Sequence, residues 1–224
     1  MEKQNKIVLN TLQVLSKAGV LDHVLLIGSW GAYFYKQYFS KTEYNPVIKT
    51  RDIDFLVNVR SKFSKSVDLE KLLEPLGFEI EFFGNGFMML ESEELAIEFL
   101  VPEIGRPKDG PMALPDIKLN AQPLRHLSIL WRSPINITVS KIPVRLPHPV
   151  DYLLQKLVIA GLRKKSDKSE KDRQSAFEVL DAVIENGDLP ELNKAVKCLS
   201  KKELKTVDKE LRQAGRNRLL TKVE

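Results

Sequence analysis

Apolar residues recur at helical spacing from the start of the chain. Val8, Leu12 and Leu15 share one face of a helix predicted over residues 3–18, and Gly19 stops it. Val24-Leu25-Leu26-Ile27 is then a continuous apolar run ended by Gly28-Ser29, the pattern of a buried strand entering a turn. Helical character over residues 32–38 makes the unit strand, tight turn, helix, and a polar connection with Pro46 fills residues 40–50. A second strand is expected over residues 50–59, its alternation setting Ile53, Phe55 and Val57 against Asp52, Asp54 and Leu56. Leu69, Leu72, Leu73 and Leu76 predict a helix over residues 66–76, with Gly77 after it. Gly84-Asn85-Gly86 between two apolar runs predicts a hairpin, because Asn-Gly tolerates the positive φ of tight turns. Residues 95–101 alternate as a further strand, and three β-like runs follow at residues 127–131, 135–139 and 142–146.

The pattern changes at His148-Pro149. Proline suits the first turn of a helix, and helical spacing continues through residues 150–162, 169–186, 190–199 and 201–214. Ser200-Lys201-Lys202-Glu203 has the form of a capping box. The fold class this implies is α+β: a mixed β-sheet flanked by helices over residues 1–147, followed by a helical region over residues 148–224.

Composition narrows the function classes. With 43% hydrophobic and 29% charged residues, the 224-residue chain has enough apolar material for a core. No apolar run approaches the roughly 20 residues of a membrane-spanning helix, and the N-terminus lacks a signal peptide's pattern. A single cysteine, Cys198, excludes an internal disulfide and a multi-cysteine zinc site, so a cytoplasmic protein is expected. The net charge of +5 is uneven: residues 151–224 hold 17 Lys+Arg against 13 Asp+Glu, while residues 1–150 hold 18 against 17. That excess could meet a polyanion such as RNA or a triphosphate; a solvated lysine-rich helical surface is the alternative.

The chemistry concentrates in three places. Asp52 and Asp54, two apart on a strand, project from one face with Cα atoms roughly 6.5–7 Å apart. Together they repel, and a divalent cation, which takes oxygen ligands, reverses that penalty. Glycine at 28 lets a backbone approach phosphate, the following helix start offers free N–H groups, and Ser29 can donate its hydroxyl. Glu98 interrupts an apolar strand, where it is either a third carboxylate able to help deprotonate a hydroxyl or half of an ordinary buried ion pair. The histidines His23, His126 and His148 lack metal-ligand spacing, and Tyr33-Phe34-Tyr35 and Trp131 read as core.

Leu26-Ile27-Gly28-Ser29 followed by Thr50-Arg51-Asp52-Ile53-Asp54-Phe55 resembles the signature of the DNA polymerase β-like nucleotidyltransferase superfamily. With Glu98-Phe99-Leu100-Val101-Pro102 it resembles bacterial members related to abortive-infection and toxin–antitoxin transferases. The resemblance covers about residues 24–102 and extends more weakly through residues 149–156 and Lys171-Asp172. It implies two Mg2+ ions held by Asp52, Asp54 and Glu98, a nucleoside triphosphate contacted by Gly28 and Ser29, and Lys156 as a phosphate contact. A surface lysine on an amphipathic helix is the other reading of Lys156. The function implied is transfer of a nucleoside monophosphate to an acceptor hydroxyl, with RNA or protein as candidate acceptors. The alternative is an inactive nucleotide- or RNA-binding protein of the same fold, or a toxin–antitoxin interaction partner.

Overall fold

A computed structural model describes residues 2–46, 50–60, 62–105, 110–164 and 167–216. The first helix, α1 (Glu2–Lys17), leads through Gly19 at φ +75° into β1 (Val24–Ile27). Helix α2 (Gly28–Phe34) follows without an intervening loop, so the expected helix starts earlier and ends earlier than its aromatic spacing suggests. Strand β2 (Asp52–Val57) and helix α3 (Leu69–Leu73), extended by one 3₁₀ turn, come next. The hairpin β3 (Glu79–Phe82) and β4 (Met88–Glu91) forms as the Asn-Gly turn predicts, with Gly86 at φ +85°. Strand β5 (Ala96–Pro102) follows.

Two differences from the sequence reading follow from short-range chemistry. Residues 127–131 form a 3₁₀-helix, because His126 at φ +65° turns the chain and Leu127 and Leu130 are buried one such turn apart. In their place β6 (Met112–Leu114) and β7 (Leu119–Leu124) join the sheet. Strand β7 buries only two small-to-medium apolar residues, Leu119 and Ala121, and contains Pro123, which masks its signal. Strands β8 (Ile135–Val139) and β9 (Ile142–Leu146) pair as expected, turning through Ser140 and Lys141 at positive φ.

Among the described residues, seven strands make one mixed sheet. Its main path runs β1-β2-β5-β4-β3, and β7 pairs in parallel with the C-terminal residues Leu100–Pro102 of β5, carrying β6 in turn. Strands β2 and β5 are parallel, with Asp54 opposite Glu98 and Phe55 opposite Phe99. That register separates the faces. Ile53, Phe55, Ile97 and Phe99 are buried on one side, where the Phe55 and Phe99 rings stack at 5.5 Å, and the acids stand on the other.

The remaining chain is helical: α4 (Pro149–Leu162), α5 (Asp167–Glu185), α6 (Leu189–Lys197) and α7 (Lys201–Gln213). Pro149 opens α4 with the His148 side chain as N-cap, and Ser200 and Glu203 complete a capping box on α7. Helix α4 is not a surface helix. It is buried on most sides and packs against α5, α6 and α7. Tyr35 ties it to the sheet region by donating to the Pro147 carbonyl at 2.9 Å. No described helix is long and apolar enough to cross a membrane.

Gly161 marks the α4–α7 crossing. A Cβ there would lie 2.5 Å from Thr206 Cγ2 and 3.1 Å from Glu210 Oε1, and Glu210 is fixed by Arg173 at 2.5 Å. Overpacking costs about 1–3 kcal/mol, against about 1 kcal/mol of helix propensity regained. Gly161→Ala is therefore expected to lower stability by about 1 kcal/mol net. Urea unfolding followed by circular dichroism checks this; an unchanged midpoint would show that α7 yields freely.

Candidate active site

Asp54 stands at the middle of the site. Its backbone neighbours are Ile27 on β1 and Glu98 on β5, so the last residue before Gly28 and the candidate third acid flank it directly. Gly28, at φ +66°, approaches so closely that a Cβ on it would lie 2.0 Å from Asp54 Oδ2. Only glycine meets both conditions, the left-handed backbone and the missing side chain. Gly31, one turn into α2, is similarly close to the backbone: a Cβ there would lie 2.9 Å from the Leu26 carbonyl oxygen. The strand-to-helix unit is thus drawn tightly over the carboxylate.

Asp52 shares this face but is exposed. Thr50 orients it: the Thr50 hydroxyl donates to Asp52 Oδ2 at 3.0 Å and accepts from the Asp52 amide at 3.1 Å. Ser29 is exposed at the second position of α2. Lys156 is half-buried on α4, with its ammonium 2.7 Å from Asp172 Oδ1 and Asp54 among its charged neighbours. The structure therefore brings Gly28, Asp54, Glu98 and Lys156 together, with Asp52 at the open edge.

Electrostatics follow from that placement. Burial pushes the Asp54 carboxyl up to about 6; Lys156 pulls against this and the Asp52 charge adds to it. Burial pushes Glu98 up to about 7, reinforced by Asp54 and Asp52 and opposed by Lys168 on α5. Burial works against the Lys156 charge, yet Tyr152, Asp172 and Asp54 outweigh it and hold the ammonium above its usual range. Among the described residues, neither Asp54 nor Glu98 makes an ion pair or a side-chain hydrogen bond. The expectation of an ordinary buried ion pair at Glu98 is not met.

Crowded, half-buried carboxylates without a cationic contact are chemically suited to a hard divalent ion. No group of three or more His, Cys, Asp or Glu side chains is drawn together at metal-ligand spacing among the described residues. Magnesium commonly binds through one or two carboxylates plus substrate phosphates, so this donor set fits it without a closed protein cage.

Other candidates resolve as structural. His148 caps α4, His126 bonds Glu203 at 2.8 Å, and the His23 ring lies 4.2 Å from that of Phe63. Tyr35 and Phe34 are core, Trp131 is partly buried, and Cys198 is exposed. Of the basic group Arg163-Lys164-Lys165, Arg163 is not simply solvated but pairs with Asp172; Lys165 lies outside the described residues. Sequence reasoning gives Asp172 no role of its own. The available signal is an acid within the inward stripe Ser169, Asp172, Ala176, Val179 and Val183 of α5.

The family described as Nucleotidyltransferase matches residues 6–200. Among curated proteins, none is significantly similar to the chain in sequence. Among solved structures, an antigenic nucleotidyltransferase-like protein from Paracoccidioides brasiliensis is similar, with a TM-score of 0.50 and 15% identity, over 95% of this chain and 91% of that one. At that identity the likeness speaks for the fold. ANT(2")-Ia in complex with adenylyl-2"-tobramycin matches with a TM-score of 0.46 and 13% identity, over 94% of this chain and 99% of that one.

Proposed function

This chain belongs to the nucleotidyltransferase family, and from that premise we propose that it transfers a nucleoside monophosphate from a nucleoside triphosphate to an acceptor hydroxyl, releasing pyrophosphate. The observation that carries the reading is the Asp54 carboxylate, tucked beneath Gly28 and beside Glu98, on the face it shares with Asp52. Asp52 and Asp54 would hold the magnesium ions. When bound, those ions draw charge from the polyphosphate and lower the pKa of the acceptor hydroxyl.

The chain's own groups supply the rest. The N–H groups at the start of α2 and the Ser29 hydroxyl would donate to phosphate oxygens, while the Lys156 ammonium offsets their charge. The acceptor oxygen forms a bond to the α-phosphorus and the bond from that phosphorus to the pyrophosphate oxygen breaks. Glu98, opposite Asp54 on β5 and without a cationic contact, is placed to accept the proton of the acceptor hydroxyl. The proposal extends to a cytoplasmic setting, which supplies nucleotides, and to kinship with the abortive-infection and toxin–antitoxin transferases that the motifs resemble. RNA and protein are the candidate acceptors.

The test is transfer of label from each of the four nucleoside triphosphates, labelled at the α-phosphate, to RNA and to protein, with magnesium or with EDTA. Transfer is expected only with metal, and Asp52→Asn is expected to reduce it roughly a thousandfold. Equal labelling by the Asp52→Asn protein would remove the catalytic claim. Nucleotide binding without transfer would leave the fold as a binding module.

A further inference from the structure

Asp172 is a carboxylate where packing alone would favour an apolar residue. It lies on the inward stripe of α5, is 6% exposed, and divides its two oxygens between two cations. Oδ1 accepts from Lys156 Nζ at 2.7 Å, and Oδ2 accepts from Arg163 Nη1 just beyond the end of α4. A buried ion pair adds little net stability compared with an apolar pair of similar volume. Holding the fold together is therefore a weak reason for this arrangement.

Its geometry gives a better one. Lysine is a point charge on a flexible four-carbon stem, and left alone beside Asp54 it could close onto that carboxylate. Asp172 holds the ammonium at 2.7 Å, and the centroid of the Tyr152 ring lies 5.6 Å from it. Tyr152 is itself held, its hydroxyl 2.9 Å from Ser175 Oγ on α5. Because Arg163 also neutralises Asp172, the three groups together keep one positive charge facing the acidic side of the sheet.

We propose that Asp172 is a positioning residue for nucleotide binding: it fixes Lys156 between the helical region and Asp54, where the ammonium meets the triphosphate. This rests on the reading of Lys156 as a phosphate contact. Arg163 serves by sharing the Asp172 charge, so that Lys156 is not wholly neutralised.

The test measures equilibrium binding of fluorescent, non-hydrolysable analogues of the four nucleoside triphosphates, with magnesium, to the full chain. Asp172→Asn is expected to weaken binding roughly tenfold, as losses of groups that orient a ligand contact do. Asp172→Glu keeps the buried charge that Arg163 requires but shifts the carboxylate by one carbon. It is expected to weaken binding severalfold, and it is the variant to read if Asp172→Asn melts early. In a Lys156→Met background, Asp172→Asn should cost little further affinity, because the residue it positions is gone. A purely structural Asp172 would lower the melting temperature and cost the same affinity in both backgrounds, which overturns the proposal. If Lys156→Met weakens binding while Asp172→Asn and Asp172→Glu bind as the unmodified chain does, the positioning role alone fails. If Lys156→Met binds normally, or the unmodified chain binds no nucleotide, the reading of the site fails with it.

Discussion

Asp54→Asn is expected to abolish nucleotide transfer and, without metal or nucleotide, to make the chain more stable at pH 8 by about 2 kcal/mol. The sign follows from the direction of the shift. Burial raises the folded-state carboxyl of Asp54 from 3.8 to about 6 and that of Glu98 from 4.5 to about 7. A raised group favours the folded state fully only below its unfolded value and loses that contribution as pH rises through its folded value. Stability of the metal-free chain should therefore fall between about pH 4 and pH 7 because of these two acids. The asparagine amide carries no charge to bury, and the substitution also relieves Glu98, which the Asp54 charge helps to raise. The gain of the variant should fade toward pH 4. Chemical denaturation in EDTA at pH 4, 6 and 8 provides the comparison. Magnesium with nucleotide should stabilise the unmodified chain more than the variant, since only the former presents the full carboxylate set. A variant no more stable than its parent at pH 8 would mean that Asp54 is better solvated than its place beneath Gly28 implies.

Gly28→Ala is expected to cut transfer roughly a hundredfold, with the opposite effect on stability. A non-glycine residue in the left-handed region costs about 1–2 kcal/mol. The new methyl would also lie 2.0 Å from Asp54 Oδ2, so the carboxylate must move. A displacement of that order at a reacting centre costs roughly a hundredfold in rate. A roughly hundredfold slower transfer with a lowered melting temperature is the expected pair of results. Full activity would show that α2 can tilt away without disturbing Asp54. Measured together, the two variants separate loss of charge from loss of position at one carboxylate.

How much of this is legible in the sequence depends on how local each cause is. The β1–α2 unit, the Asp52 strand, the hairpin and the four C-terminal helices are legible because apolar spacing and turn residues report on their own neighbourhood. The 127–131 run misleads because a short, nearly continuous apolar stretch suits both a strand and a 3₁₀ turn, and the positive φ at His126 decides between them. Strand β7 is hidden because its apolar alternation is short and broken by Pro123, and its place is set by pairing with β5. In the site, the one-face placement of Asp52 and Asp54 is visible as a two-residue period. The pairing of Asp54 with Glu98 needs the register of two strands more than 40 positions apart in the chain, roughly eight strand lengths at typical strand size. Lys156 is the furthest from reach. Its half-buried state follows from α4 being central to the helical region, which its own spacing does not announce.

That central helix has a consequence for how the protein comes into being. The acids leave the ribosome well ahead of the ammonium that faces them, by an interval on the order of 3–20 s at ordinary rates of synthesis. Throughout it, the nascent sheet presents its carboxylates without their counter-charge, and Asp172 arrives later still. A growing chain would therefore hold nucleotide poorly until α5 has emerged and docked.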